Sequence, residues 1–207
     1  MNPAVAAGVL AGVLMAASQS APQAASPPPS AAAERVESGT VESPEGIPIH
    51  YRIRLLPVSS FPALPEDVGA WLNRRGCMIP QTYEARQPEN VIHGAFHGRG
   101  ASDWAALCSV DGTTTLYVFP DGQRDDPTAL RSQPDAAWLG ADPGETVRGS
   151  AWGIAVRSAG QLRSLPEFRR LLPVDHDGID DARLERALTI HYEQAGQWLT
   201  VTTGNDN

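Results

Sequence analysis

Residues 103–119 read DWAALCSVDGTTTLYVF, and the reading of this stretch decides the fold. Two runs rich in apolar and β-branched residues, 103–109 and 113–119, flank Asp111-Gly112, a dipeptide suited to the two positive-φ positions of a tight hairpin turn. Strands joined so tightly are antiparallel neighbours. Upstream, residues 91–97 (VIHGAFH) predict a further strand, so the chain from 91 to 119 reads as a meander.

Cys108 falls inside the middle strand of that meander, and Cys77 is the only other cysteine. An even number of thiols in an exported chain reads as a disulfide, and the apolar setting of Cys108 argues against a reactive thiol. No Cys-x-x-Cys occurs. A bond closing a loop of about 30 residues stabilises a fold by roughly 3–4 kcal/mol. Residues 65–75 (PEDVGAWLNRR) predict a helix just before Cys77: Pro65 suits its first position, Glu66 and Asp67 the positive end of its dipole, and Val68, Trp71 and Leu72 form its apolar stripe. Gly76 ends it. The bond would staple this helix to the back of the sheet.

Farther out, residues 47–55 alternate, with Ile49, Tyr51, Ile53 and Leu55 on one face, and Pro48 places this strand near a sheet edge. The Asp-, Pro- and Gly-rich stretch from 120 to 150 reads as irregular surface with Trp138 and Leu139 tucked in. A strand is expected over 152–157, turning at Ala159-Gly160 into a second over 161–165. Asp175–Asp181 (DHDGIDD) reads as a turn leading into a short helical segment, with Ile179, Leu184 and Leu188 facing inward. A hairpin closes the chain, 187–193 and 197–203 around Ala195-Gly196. The expected fold is α+β: a single domain over 46–204, largely antiparallel sheet from the meander and the C-terminal hairpin, with one main helix pinned by a disulfide.

The amino-terminal 33 residues carry no charged side chain. Residues 4–17 (AVAAGVLAGVLMAA) have the length of a signal-peptide hydrophobic region rather than of a membrane span, although no Lys or Arg opens the segment. Residues 1–20 are therefore expected to be a signal peptide, cleaved after Ser18 or Ser20; an uncleaved amino-terminal anchor is the alternative. The Pro-, Ala- and Ser-rich residues 21–45 are expected to be a disordered tether. The expected location is secreted or periplasmic, with no membrane association after cleavage.

The net charge of -8 argues against nucleic acid as a partner, because a polyanion needs a basic face. All sixteen basic residues are arginine. Without lysine there is no Schiff-base, phosphate-loop or serine–lysine chemistry. Gly-x-Ser-x-Gly and His-Glu-x-x-His are both missing.

The loop before the middle strand, GAFHGRGASD (94–103), resembles the FG-GAP family of β-propeller repeats in Gly94, Phe96, Gly98, Gly100, Asp103 and the apolar residues 105–107. That family holds calcium in a loop between two strands. Its ligand positions are here Ala95, His97 and Arg99, which leaves Asp103 as the single expected carboxylate, so the resemblance implies the strand–loop–strand geometry without the metal. His93 and His97, four apart on a strand, would lie about 13 Å from each other, too far to share an ion. Aligning Gly178 with the glycine of an EF-hand loop puts Pro173 and Leu184 at the outer ligand positions, which excludes that site too. Neither metal nor cofactor is expected.

Over 75–201, RGCMIPQ, NVIHGAF, DWAALC and HYEQAGQWLTV resemble a group of bacterial exported proteins of unknown function. The resemblance implies one shared domain and carries over no catalytic residue. The reading that follows is a non-catalytic binding or inhibitor-like module for an unidentified protein or small molecule, with His93, His97, Arg99 and Asp103 as candidate surface contacts. The alternative is a small exported hydrolase whose carboxylates and histidines, drawn from His93, His97, Asp103, His176 and His191, assemble in space.

Overall fold

Fourteen of the sixteen residues from Trp104 to Phe119 pair in register on either side of a two-residue turn, in which Asp111 and Gly112 take φ of 49° and 76°. The computed structural model describes residues 33–122, 127–170, 173–184 and 187–203. All of them belong to one compact unit. The signal-peptide reading over 1–20 lies outside the described residues.

Around that hairpin, β5 (Asp103–Val110) and β6 (Thr113–Phe119), the first sheet runs β1 (Arg35–Glu42), β2 (Pro48–Pro57), β3 (Met78–Pro80), β5, β6 and β7 (Thr128–Pro134). β4 (Val91–Gly94) also pairs with β5. A short ribbon, β8 (Leu139–Gly140) with β9 (Gly149–Ser150), leads into the second sheet. There β10 (Trp152–Arg157), β11 (Gly178–Arg183), β12 (Ala187–Gln194) and β13 (Gln197–Thr203) lie side by side. Every pairing between these named strands is antiparallel.

The period of two sorts the side chains into layers. Ala105, Leu107, Leu116 and Val118 leave the first sheet on one face and meet Trp152, Ile154 and Ile179 of the second. Ala106, Cys108 and Phe119 leave by the opposite face and meet Val68 and Leu72 of α1 (Glu66–Arg74). On the far side of the second sheet, Ile190 and Tyr192 pack against Leu162 of α2 (Ala159–Ser164) and Phe168. Two sheets thus share a core, and each carries helical cover on its outer face.

The end of α1 explains the staple. Gly76 takes φ of +74°, its N–H donates to Asn73 O at 3.0 Å, and Cys77 N–H donates to Leu72 O at 3.0 Å. This paired C-terminal cap turns the chain sharply, delivering Cys77 to Cys108 with their α-carbons 5.0 Å apart.

Five expectations need correction. Residues 35–42, assigned to the tether over 21–45, form β1, paired with β2 from Arg35↔Leu55 to Glu42↔Pro48. The folded region therefore begins before residue 46, and β1 rather than β2 occupies the edge. The strand expected over 91–97 stops at Gly94, where an added Cβ would strike the Phe96 ring as it folds back into the core. Within the expected irregular stretch 120–150, β7 extends the first sheet and β8 and β9 form their ribbon. The strand expected over 161–165 is α2, started by a reciprocal cap: Gln161 N–H donates to Ser158 Oγ, and Ser158 N–H donates to Gln161 Oε1. Last, Gly178–Arg183 is a strand and not a helical segment, because both carboxylates find cationic partners on neighbouring elements.

Candidate functional site

Asp103, fully buried at the start of β5, accepts from Phe96 N–H at 2.7 Å and His97 N–H at 2.8 Å through Oδ2, and from Asp121 N–H at 2.8 Å through Oδ1. His97 Nδ1 stands 3.4 Å from the same Oδ2. The carboxylate that would serve calcium in an FG-GAP loop here holds the loop's own backbone. Burial opposes ionisation of Asp103, but the His97 ring and the backbone donors outweigh it and hold the carboxyl below its ordinary range. His97 is raised in return, chiefly by the adjacent Asp103 carboxylate against the effect of burial, with Glu193 and Asp121 adding to the rise.

The four candidate contacts divide accordingly. His97 and Asp103 come together, and His97 packs edge-on against Trp198 with ring centroids 5.3 Å apart. Arg99 is exposed, and its charge helps to lower Asp175, whose principal cause of lowering is the His176 ring. His93 lies on the opposite face of the first sheet, against Trp104 at 4.8 Å, with Ser102 Oγ 2.9 Å away. His176 and His191 face opposite sides of the second sheet: His176 stacks on Tyr192 at 4.3 Å, whereas His191 points toward the first sheet. Of the five residues named for a hydrolase, His97 and Asp103 come together, while His93, His176 and His191 stand in separate surroundings.

A polar row crosses the second sheet strand by strand. Trp152 Nε1–H of β10 donates to Asp181 Oδ1 at 2.6 Å, and His191 Nε2–H of β12 donates to Asp181 Oδ2 at 2.9 Å. Thr200 Oγ1 of β13 stands 3.5 Å from His191 Nδ1. Arg131, from β7 of the other sheet, places Nε 2.6 Å from Asp181 Oδ2 and its guanidinium over Trp138 at 5.1 Å. Asp181 is fully buried, so its charge is tolerable only with these partners. The sequence, read there as a turn and a helical segment, pointed neither to this row nor to its partners.

A feature that the sequence left unannounced is a groove of about 450 Å³ over the first sheet beside β1 and β2. Its floor carries Val36, Arg52 and Arg54, which share a face because Val36 pairs with Arg54 and Ser38 with Arg52. One wall holds Tyr83; the other is the segment from Ala141 to Gly149. That segment is tied to the floor by Arg52 N–H donating to Arg148 O at 2.8 Å and Arg148 N–H donating to His50 O at 3.0 Å. Gly140 and Gly149, paired across the ribbon, make room for Tyr83: a Cβ on Gly149 would sit 2.8 Å from the Tyr83 Cβ. Arg54 pairs with Glu34 at 3.0 Å. The Arg52, Arg148, Asp142 and Glu145 side chains have no ion-pair partner among the described residues.

Among the described residues no group of three or more His, Cys, Asp or Glu side chains is arranged to hold a metal, and no helix is long and apolar enough to cross a membrane. Comparison of the chain with protein families, with curated proteins and with solved structures finds no match.

Proposed function

We propose that the chain is an exported, non-catalytic binding module, acting in the periplasm or outside the cell, and that the groove beside β1 and β2 is its binding surface. The observation that carries this reading is the groove itself. It has the size of small-ligand sites, free charges of both signs, and walls held by backbone hydrogen bonds to the sheet. Export is supported by the Cys77–Cys108 bond, since such bonds persist in oxidising compartments. The net charge of -8 favours a protein or small molecule over nucleic acid as the partner.

Two measurements test it. Fractionation of a bacterium expressing the full chain is expected to yield periplasmic or secreted material, cleaved after Ser18 or Ser20 and with both cysteines bonded; full-length cytosolic protein with free thiols would overturn export. A fragment screen followed by amide-resolved NMR is expected to produce shifts clustered at 34–36, 52–54, 82–85 and 141–149. Hits confined to other surfaces, or none, would remove the groove from consideration.

One observation favours a second reading, the exported hydrolase. In the row Asp181–His191–Thr200, a carboxylate orients an imidazole whose other nitrogen faces a hydroxyl, the order of groups in a nucleophile–base–orienter arrangement. Hydrolysis of p-nitrophenyl acetate would be lost in both Thr200→Ala and His191→Gln on that reading. Equal rates in both variants and the parent protein end it.

A further inference from the structure

We infer that the groove takes a short zwitterionic peptide, one with a free amino and a free carboxyl terminus. The inference rests on the reading of the groove as the binding surface and concerns what that surface selects. Two guanidinium groups line its floor and the adjoining end of one wall: Arg52 lies on β2, and Arg148, near the end of the 141–149 wall, is joined to that strand by two backbone hydrogen bonds. Two carboxylates come from farther along that wall, where Asp142 and Glu145 are held in one turn by Glu145 N–H donating to Asp142 O at 3.0 Å. The Arg54–Glu34 pair in the same groove is internally neutral.

Charge complementarity therefore asks for an anion toward Arg52 and Arg148 and a cation toward Asp142 and Glu145, on one molecule. A polyanion would meet the two loop carboxylates and the net charge of -8, and a polycation would meet the guanidinium pair. Apolar surface supplies the third requirement. Val36 and Val147, 46% and 42% exposed, are two of only four large hydrophobic side chains that stand exposed among the described residues, and both line this groove. They offer contact to an apolar side chain carried between the two termini. An extended tripeptide spans about 10 Å, in keeping with a cleft of about 450 Å³.

The test uses the full mature chain with its disulfide intact and the tripeptide Ala-Leu-Ala as probe, followed by calorimetry and amide-resolved NMR. The free peptide is expected to shift the groove amides, and its affinity to fall about tenfold on acetylation and again on amidation, as the loss of a charge-assisted contact implies. In Arg52→Ala/Arg148→Ala the free acid and the amide should bind alike. In Asp142→Asn/Glu145→Gln the free and acetylated peptides should bind alike. All four positions are exposed, so both variants should keep the parent spectrum away from the groove. Equal binding of free and doubly blocked peptide overturns the inference while leaving the groove a binding surface, and so does a groove that answers to maltose, an uncharged probe, and not to the tripeptide. A groove silent to tripeptide, maltose and the fragment screen alike overturns both readings.

Discussion

Asp103 shows how a residue that looks like a ligand becomes a fastener. A carboxylate with three backbone donors and a neighbouring imidazole has its acceptor capacity spent, and its removal strands those donors in a buried setting. Asp103→Ala is expected to cost about 3 kcal/mol, read as a lower denaturation midpoint with an unchanged slope. Calcium added to the parent protein should leave that midpoint where it is. The pH dependence has a definite sign. Asp103 is lowered, so its contribution is present above its unfolded value of 3.8 and is lost as pH falls through the lower folded one. His97 is raised, so its contribution is present below 6.5 and is lost as pH rises through the higher folded value. Stability from this pair is therefore complete between those two values, and His97→Gln should flatten the alkaline side of the profile in urea titrations at successive pH values.

At the scale of elements, β1 is an edge strand held from its inner side. Glu37 reaches the buried Asp135, which already accepts from Ser109 Oγ at 2.5 Å and Thr114 Oγ1 at 2.6 Å. Burial first, and then the Asp135 charge, raise the Glu37 carboxyl above its ordinary range. The stability it lends β1 is therefore full below 4.5 and is lost as pH rises through its folded value. Glu37→Gln should abolish that dependence, with slower hydrogen exchange of the 35–42 amides at neutral pH than in the parent; faster exchange would contradict the assignment. The disulfide acts on α1 in another way, through the unfolded chain. Replacing both cysteines by alanine is expected to lower stability by about 3–4 kcal/mol, and the parent protein in strong reductant should lose a similar amount. The elements legible in the sequence were those with local causes: α1 through its dipole partners and Gly76, β5 and β6 through Asp111-Gly112, β12 and β13 through Ala195-Gly196. α2 had a local cause too, the reciprocal cap of Ser158 with Gln161, which the expectation of a turn at Ala159-Gly160 obscured. β1 and β7 had none strong enough, since an edge strand of mixed polarity is defined by the strand it joins.

For the whole molecule, Asp181 is the point at which the two sheets are electrically joined. Its partners come from β7 of one sheet and from β10 and β12 of the other. Asp181→Ala leaves Arg131, Trp152 and His191 without their common acceptor and should cost about 3–5 kcal/mol, with a change in the near-ultraviolet circular dichroism of Trp152. Thr200→Val, at the exposed end of the same row, should change stability by less than about 1 kcal/mol. What the sequence determined by itself were features set within a few residues, or by two cysteines that had only each other to meet: the tight turns, the capped helix, the antiparallel meander and the staple. Tertiary structure decided which carboxylates are structural, which histidines are kept apart, and that Arg52 and Arg148 share one groove with Asp142 and Glu145. The physical reason is that a charge's role depends on what lies within a few ångströms of it, and for each of these groups those neighbours arrive from strands and loops distant along the chain.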